Sequence, residues 1–480
     1  MNYKNLFLRQ SYFDSYDTYS LSLSGDGSVA LWDYVILTAS NESQATAYRQ
    51  QIDYRLKQGV LPKSTHYAVL PDHEGKRVGS GGATLGVLRY IREREQSFDN
   101  LRILVIHSGG DSKRVPQYSA CGKLFSPVPR ELPDGRRSTL FDEFIIAMSG
   151  VPARLEEGML VLSGDVLLLF NPLQIDFYGK GAAALSIKEN VNTGKDHGVF
   201  LCNDDGNVGR FLHKQTVQTL KEVGAVDQSD KVNIDTGAVV LSSAILTDLY
   251  SLVDTDEGFA SYVNEKVRLS FYADFVYPLA QNSTLEEFYN EKPEGELCDE
   301  LTAARTVLWN ILHKYSMKLI CLSPASFLHF GTSKELLELV TKDIEDYRFL
   351  DWQAKVCSNR NEGIFACYNS FIHKNAVIGD GSYIENSDID EGAVVGKNCI
   401  ISGATLKDVT VPDNTILHTL KLENGKFVTR ILGLCDNPKE NTWLGKKLDT
   451  SLWEAALFGE YDTPQESAAA TLKGEQGVYS

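Results

Sequence analysis

The eight cysteines never approach a CxxC spacing; they stand singly from Cys121 to Cys435. That excludes a disulfide framework and a structural zinc site, and a reducing cytoplasm is the compartment that suits such a chain. Long apolar runs are also missing. The N-terminal MNYKNLFLRQSYFDSYD has no apolar core of signal-peptide length, and runs such as VLLLF (166–170) fall far short of a membrane span, which needs about 20 residues. Neither a cleaved leader nor insertion into a bilayer is expected. Positive charge is in deficit: 47 basic residues face 64 acidic ones, for a net charge of −17. A general nucleic-acid or anionic-membrane surface needs a positive field, so both are excluded as partners. Any phosphate must be caught locally.

What is present is alternation. The 480 residues exceed an average domain about threefold, so two or three units are expected. WDYVILTA (32–39) reads as a strand, and NESQATAYRQQIDYRLKQG after it as a helix with Asn41 as N-cap and Gly59 as stop. The cycle repeats with HYAVLPD (66–72), a glycine-rich loop and the helical LGVLRYIRERE, then with LRILVIH (101–107). A fourth apolar run, MLVLSGDVLLLF (159–170), is broken at Ser163-Gly164-Asp165. Apolar strands joined by helices imply an α/β fold with a doubly wound, mostly parallel sheet. Ligands of such sheets bind beyond the carboxyl ends of the strands, where the glycines at 79–82 and 108–110 and Asp165 fall.

The pattern changes after residue 366. Aliphatic residues recur at Ile372, Ile378, Ile384, Ile389, Val395, Ile401, Leu406, Val411 and Leu417, five or six apart, with small, Asn, Asp and Gly residues between them. A period near six predicts a short hexapeptide β-helix of about three coils, each side stacking its aliphatic residue on the next. The expected organisation is a first domain over 1–340, a helical linker over 341–365, the β-helix over 366–430 and an extension over 431–480. The end of that extension, QESAAATLKGEQGVYS, is polar and small enough to be partly disordered.

The run IHSGGDSKRVPQYSACGKLFSPVP (106–129) concentrates glycines and basic side chains after a buried strand. A Walker loop is ruled out, because Gln117 stands where its first glycine belongs and Leu124 where its Ser or Thr belongs. A dinucleotide fingerprint fails at GSGGAT (79–84), where Thr84 replaces the third glycine. The order that remains is Gly109-Gly110, then Arg114, then Lys123 nine residues on. It allows backbone to approach a phosphate without a Cβ in the way, with two cations close in sequence.

This order resembles the G-G-x-x-x-R-x(8)-K signature of sugar-nucleotide pyrophosphorylases, in the form found in L-fucose-1-phosphate guanylyltransferases and in the amino-terminal half of bifunctional fucokinase/GDP-fucose pyrophosphorylases. VGSGGATL (78–85), LSGDV (162–166), DHGVF (196–200), DTGAVVL (235–241), YADF (272–275) and FLHFGTSKELL (327–337) continue the resemblance in order over about residues 30–420. It implies a Rossmann-like nucleotidyltransferase domain and the reaction of GTP with L-fucose 1-phosphate to give GDP-L-fucose and pyrophosphate. Such a reaction requires positioning and charge compensation rather than a protein nucleophile. By the same resemblance Gly109, Gly110, Asp111 and Arg114 would cradle the triphosphate and Lys123 would sit near the α- or β-phosphate. Gly79, Ser80, Gly81 and Gly82 would face the nucleotide. Asp165 would hold Mg2+, or Mn2+ in its place; Lys214 would grip the sugar phosphate, and His197, Gly198, Asp235 and Gly237 would line the sugar. Related enzymes read W-x-D-x-G-T where this chain has FLHFGT, so their second metal aspartate is replaced by His329. Imidazole suits magnesium poorly, so His329 is expected to bond a phosphate or fix a neighbouring side chain.

On physical grounds the base and the sugar stay open, as do a hexapeptide acyltransferase using His373 or His418 and a non-catalytic nucleotide-sugar-binding protein. Bifunctional relatives continue into a sugar kinase, for which these residues leave no room. Kinase activity is not expected here, although a fused kinase domain could follow residue 480.

Overall fold

The computed structural model describes residues 2–110, 112–120, 122–195 and 197–474. The chain is α/β and divides into two compact units, neither continuous in sequence. One comprises residues 1–110 with 143–328; the other comprises 111–142 with 329–480. The first half of the chain therefore lends 32 residues, the excursion 111–142, to the unit that also contains the repetitive strands. Within 341–365 a 3-10 helix over Ile344–Leu350 is followed by a strand, Lys355–Ser358.

The first unit is built on a nine-stranded sheet. Four strands form a parallel block in the order His66–Pro71, Tyr34–Ala39, Arg102–His107, Gly158–Ser163. Tyr34–Ala39 is buried along its whole length, as a strand covered on both faces must be. Helix Glu42–Lys57 follows it, with the Asn41 side chain accepting from Gln44 N–H at 2.9 Å and Gly59 in left-handed backbone beyond its end. The expected mostly parallel sheet holds for this block and for the parallel pairing of Met317–Cys321 with Ala182–Ser186, so the sheet as a whole is mixed. Beyond the block Lys231–Leu241 runs antiparallel to its neighbours Gly158–Ser163, Gly198–Cys202 and Ala182–Asn190. Of the connections in this part only that between Gly198–Cys202 and Val208–His213 is a short turn, which enforces their antiparallel pairing.

An N-terminal helix, Tyr3–Ser22, was not anticipated; no apolar stripe of helical period marks it, and it buries serines and tyrosines as well as Leu8. Among the described residues no helix is long and apolar enough to cross a membrane.

In the second unit the nine aliphatic positions fall into three columns. Ile372, Ile389 and Leu406 are in register, as are Ile378, Val395 and Val411, and Ile384, Ile401 and Leu417. All pairings within these columns are parallel, and most of the nine side chains are fully buried. Corners fall at Gly381, Asn386, Asn398, Gly403 and Asn414, all with positive φ, which glycine and asparagine accept more readily than other residues. Asn369 donates to Asn386 (2.7 Å) and Asn398 to Asn414 (3.1 Å), so the corners also bond from one level to the next.

The expectation of a disordered tail is corrected up to residue 474. Pro464–Lys473 is a helix with Thr463 as N-cap, Pro464 at its first turn and Gly474 in left-handed backbone at its end. Its small residues let it pack closely: Ala468 joins the apolar core of the columns, and Thr429 N–H donates to Ser467 Oγ at 2.7 Å.

Ile401 lies between Ile384 and Leu417 and is fully buried. Ile401→Ala should destabilise the second unit by about 2–5 kcal/mol, read as a shift in the urea midpoint at unchanged m-value.

Candidate active site

The first unit has a crevice where one strand changes partner. Lys231–Leu241 pairs along one edge with Ala182–Asn190 over its full length. On its other edge Asn233 and Ile234 pair with Phe200 and Val199, whereas Ala238–Leu241 pair with Leu162–Met159. At the same place the register against Ala182–Asn190 shifts between Asp235 and Ala238, and Gly237 takes φ +73°. Asp235 and Gly237 thus lie between the end of one ladder and the start of another, while Thr236 Oγ1 donates to Leu185 O on the opposite edge at 2.6 Å, and a bulge at such a place re-aims side chains.

Side chains converge on that gap. Asp235 Oδ1 accepts from Gly237 N–H at 2.8 Å, and burial pushes its carboxyl up to about 6. Tyr272 Oη donates to Gly237 O at 3.0 Å, and its hydroxyl is held well above its ordinary value by burial and then by the charges of Asp235 and Asp165. Asp165 follows the Gly158–Ser163 strand, accepts from Ser163 Oγ at 2.7 Å, and is partly accessible. Two close approaches fix the geometry. A Cβ at Gly164 would stand 2.7 Å from His107 O, and one at Gly237 would stand 2.9 Å from Ser163 Cβ. Gly198 backs Asp235, since a Cβ there would meet the Phe211 ring and lie 3.1 Å from Asp235 Cβ. Next to it His197 packs edge-on against Phe327 at 5.2 Å and its carbonyl accepts from Lys214 N–H, which leaves the Lys214 side chain exposed.

Gly109 and Gly110 follow the neighbouring strand, whose His107 pairs with Ser163. Their turn is exposed but fixed: Thr38 Oγ1 accepts from the Ser108 and Gly109 amides, Tyr48 Oη donates to Ser108 O, and Gln44 Nε2 donates to Gly110 O. Gly110 has φ +109°. Asp111 lies outside the described residues.

Gly79, Ser80, Gly81 and Gly82 are not a loop before a helix; they form the first turn of the helix Gly79–Arg92. A Cβ on Gly79 would collide with the Leu269 carbonyl, and Gly81 is tight against the same residue. Ser80 N–H points to Glu294 at 3.4 Å and Ser80 Oγ accepts from Phe271 N–H at 2.8 Å. Packing on the 268–271 segment is the visible work of these glycines. Asp274 of YADF is structural, paired in the core with Arg305 at 2.8 Å.

Arg114, Lys123 and His329 belong to the second unit. Arg114 has an exposed side chain, and its carbonyl accepts from Ser333 N–H at 3.0 Å. Lys123 is half-buried at the start of a 3-10 turn, Lys123–Phe125. His329 sits over Gly331, with Nδ1 3.5 Å from Glu335 Oε2. Among the described residues no three His, Cys, Asp or Glu side chains gather as a metal cluster. A cavity of about 840 Å3 lined by Lys76, Tyr262, Lys266 and Ala304 contains none of the expected site residues.

Sequence reasoning missed Thr38, Gln44 and Tyr48, which hold the glycine turn, and Tyr272, which joins the two aspartates. Tyr272 stood inside the quoted YADF motif, but nothing in its spacing points to the strand bulge it meets.

The family model described as the fucose pyrophosphorylase domain matches residues 95–462. The chain belongs to the fucose pyrophosphorylase family. Its relatives include fucose-1-phosphate guanylyltransferases of Mus musculus, 27% identical over 92% of this chain and 86% of the relative, and of Homo sapiens, 28% identical over 92% and 84%. A bifunctional fucokinase/GDP-fucose pyrophosphorylase of Arabidopsis thaliana is 26% identical over 91% of this chain and 46% of its own length.

The raised Asp235 carboxyl gives a pH prediction. Its folded-state value of about 6 exceeds the ordinary 3.8, so the native state favours the protonated form. The associated stability is fully present below the ordinary value and is lost as pH rises through about 6. Asp235→Asn keeps an acceptor for Gly237 N–H and removes the titration. The variant should be more stable than the parent above pH 6.5 by on the order of 2–3 kcal/mol, with the difference vanishing near pH 4, as measured by denaturant melts across that range.

Proposed function

We propose that this chain transfers GMP from GTP to L-fucose 1-phosphate, forming GDP-L-fucose and releasing pyrophosphate. The observation that carries this reading is the fucose pyrophosphorylase match over 95–462, joined by relatives named for that transfer along nine-tenths of the chain.

In the reaction a phosphate oxygen of the sugar phosphate bonds to the α-phosphorus in line, the bond from that phosphorus to the bridging oxygen breaks, and the leaving pyrophosphate takes the electron pair. We assign Arg114 and Lys123 to offsetting charge on the triphosphate. The exposed Gly109-Gly110 turn, with no Cβ, admits a phosphate to the backbone. Lys214 takes the sugar phosphate, with His197, Gly198, Asp235 and Gly237 toward the sugar; the partly buried Asp235 carboxyl suits a hydroxyl donor. Gly79, Gly81 and Gly82 are assigned to packing, and Ser80 with them.

Asp165 is a hard oxygen donor at a strand end and fits a divalent ion. Mg2+, or Mn2+ in its place, would be held there with phosphate oxygens and water completing the shell, and it would supply charge neutralisation. The His329 contact with Glu335 fits the role of fixing a neighbouring side chain. We read the first unit as the Rossmann-like nucleotidyltransferase layer and the three aliphatic columns as three coils of a hexapeptide β-helix. The chain would work in the cytoplasm on small molecules. Acyl transfer is disfavoured at His418, which is 1% exposed and accepts from Arg430 Nε at 3.0 Å.

Pyrophosphate release across nucleoside triphosphates and sugar 1-phosphates tests the reaction. GTP with L-fucose 1-phosphate should be the preferred pair by at least tenfold in kcat/KM; no release with that pair rejects the proposal. Lys123→Ala should lower kcat/KM by about two to four orders of magnitude at an unchanged melting curve. Asp165→Asn should raise the Mg2+ concentration needed for half-maximal rate, and a variant with the parent's Mg2+ dependence would remove the metal from that residue.

A further inference from the structure

The loop carrying Arg114 and Lys123 is clamped from the side of the columns, all within the second unit. Tyr118 Oη donates to Glu385 Oε2 at 2.7 Å, and Glu385 is fully buried in the Tyr383–Glu385 strand. Arg430, on the strand Phe427–Gly433, donates through one terminal nitrogen to Pro116 O at 3.1 Å and to Ser119 Oγ at 2.9 Å, and through Nε to His418 Nε2. At the loop's near end Ser333 holds the Arg114 carbonyl and donates through Oγ to Gln117 Oε1 at 2.9 Å. Val115, Pro116 and Gln117 are buried between these anchors, while the Arg114 side chain is exposed.

The two anchors are costly choices for stability alone. Burial drives the Glu385 carboxyl up and brings the Arg430 guanidinium down to about 10. The Arg430 hydrogen bonds go to neutral groups, a carbonyl, a hydroxyl and an imidazole, so they do not neutralise a charge that burial disfavours. What those bonds do accomplish is geometric. A guanidinium is a rigid fork, and here it ties two loop atoms and one column residue to a single plane. A loop that must offer charge to a reacting phosphate loses rate when it moves by about 1 Å, so such a fork has a use there.

We infer that Arg430 and Glu385 are positioning residues for the basic loop: through Pro116, Ser119 and Tyr118 they set where Arg114 and Lys123 present their charges to the nucleotide phosphates. The inference rests on the phosphate role proposed above for those two residues. The columns are then the loop's scaffold, and the 111–142 excursion is the means by which the chain hands its signature residues to that scaffold.

The test is steady-state kinetics of Arg430→Met, Arg430→Lys and Tyr118→Phe, with GTP and L-fucose 1-phosphate varied in turn and melting followed for each. Arg430→Met should lower kcat/KM for GTP by 10- to 100-fold while KM for the sugar phosphate changes less than twofold. Arg430→Lys, which keeps a donor for Pro116 or Ser119, should recover part of the loss. Tyr118→Phe, which removes one hydroxyl and stays folded if Arg430→Met does not, should show the same one-sided loss at smaller size. A purely structural role would instead reduce the active fraction, lowering kcat equally for both substrates with both KM values unchanged; that outcome overturns the inference. So does parental kinetics in folded Arg430→Met and Tyr118→Phe beside an inactive Lys123→Ala, which leaves the phosphate reading intact. Full turnover in Lys123→Ala rejects the phosphate reading and the inference with it.

Discussion

The first unit depends on one strand that cannot keep the same neighbours along its length. Lys231–Leu241 is held on one edge by Ala182–Asn190, and that leaves a single edge to serve both the parallel block and the antiparallel hairpin strand Gly198–Cys202. A regular ladder would close this edge. Instead the ladder with Gly198–Cys202 ends at Ile234 and that with Gly158–Ser163 begins at Ala238, with Gly237 in left-handed backbone between them. Asp165, Asp235 and Tyr272 meet there because three strands stop or start there. Gly164, Gly198 and Gly237 are glycines because the backbones and rings around the opening leave no space for a Cβ.

A different constraint governs the second unit. A repeat of 16 or 17 residues, the offset between successive column partners such as Ile384, Ile401 and Leu417, buries little by itself and gains its core from the repeat paired with it. The stack needs ends. Pro464–Lys473 covers part of the core with Ala468, and Phe427–Gly433 pairs antiparallel with the last parallel strand. Arg430 lies on that closing strand, so the element that terminates the stack also grips the 116–119 segment.

Much of this was legible in the sequence where periodicity speaks. The Asn41 cap, the Gly59 stop, the four apolar strands and all nine column positions were readable because local pattern and burial agree there. What failed were features decided by distant partners. Gly79–Gly82 read as a glycine-rich loop ahead of a helix, yet Leu269 and Phe271, far along the chain, recruit them into a packed helical turn. The terminal helix carried Thr463, Pro464 and Gly474 as clear start and stop signals, but its polar, alanine-rich body hid them behind a composition that reads as tail. The excursion 111–142 was invisible, since no local pattern says which body a loop will join. Asp165 and Asp235 carry separate roles in the sequence reading, one for metal and one for sugar, and only the fold brings their neighbours Ser163 and Gly237 together beside Tyr272.

That shared crevice bears on how an acidic protein handles a polyphosphate. Two carboxylates around one tyrosine hydroxyl form a place that attracts cations and hydroxyl donors and repels phosphate. With a net charge of −17 the surface at large offers no compensating field. On the proposed reading, phosphate oxygens meet side chains that bring their charge with them, Arg114 and Lys123, beside the Gly109-Gly110 backbone. On the same reading, carboxylates that face hydroxyls and metal belong to the sheet, and cations that face phosphates belong to a loop clamped on the columns.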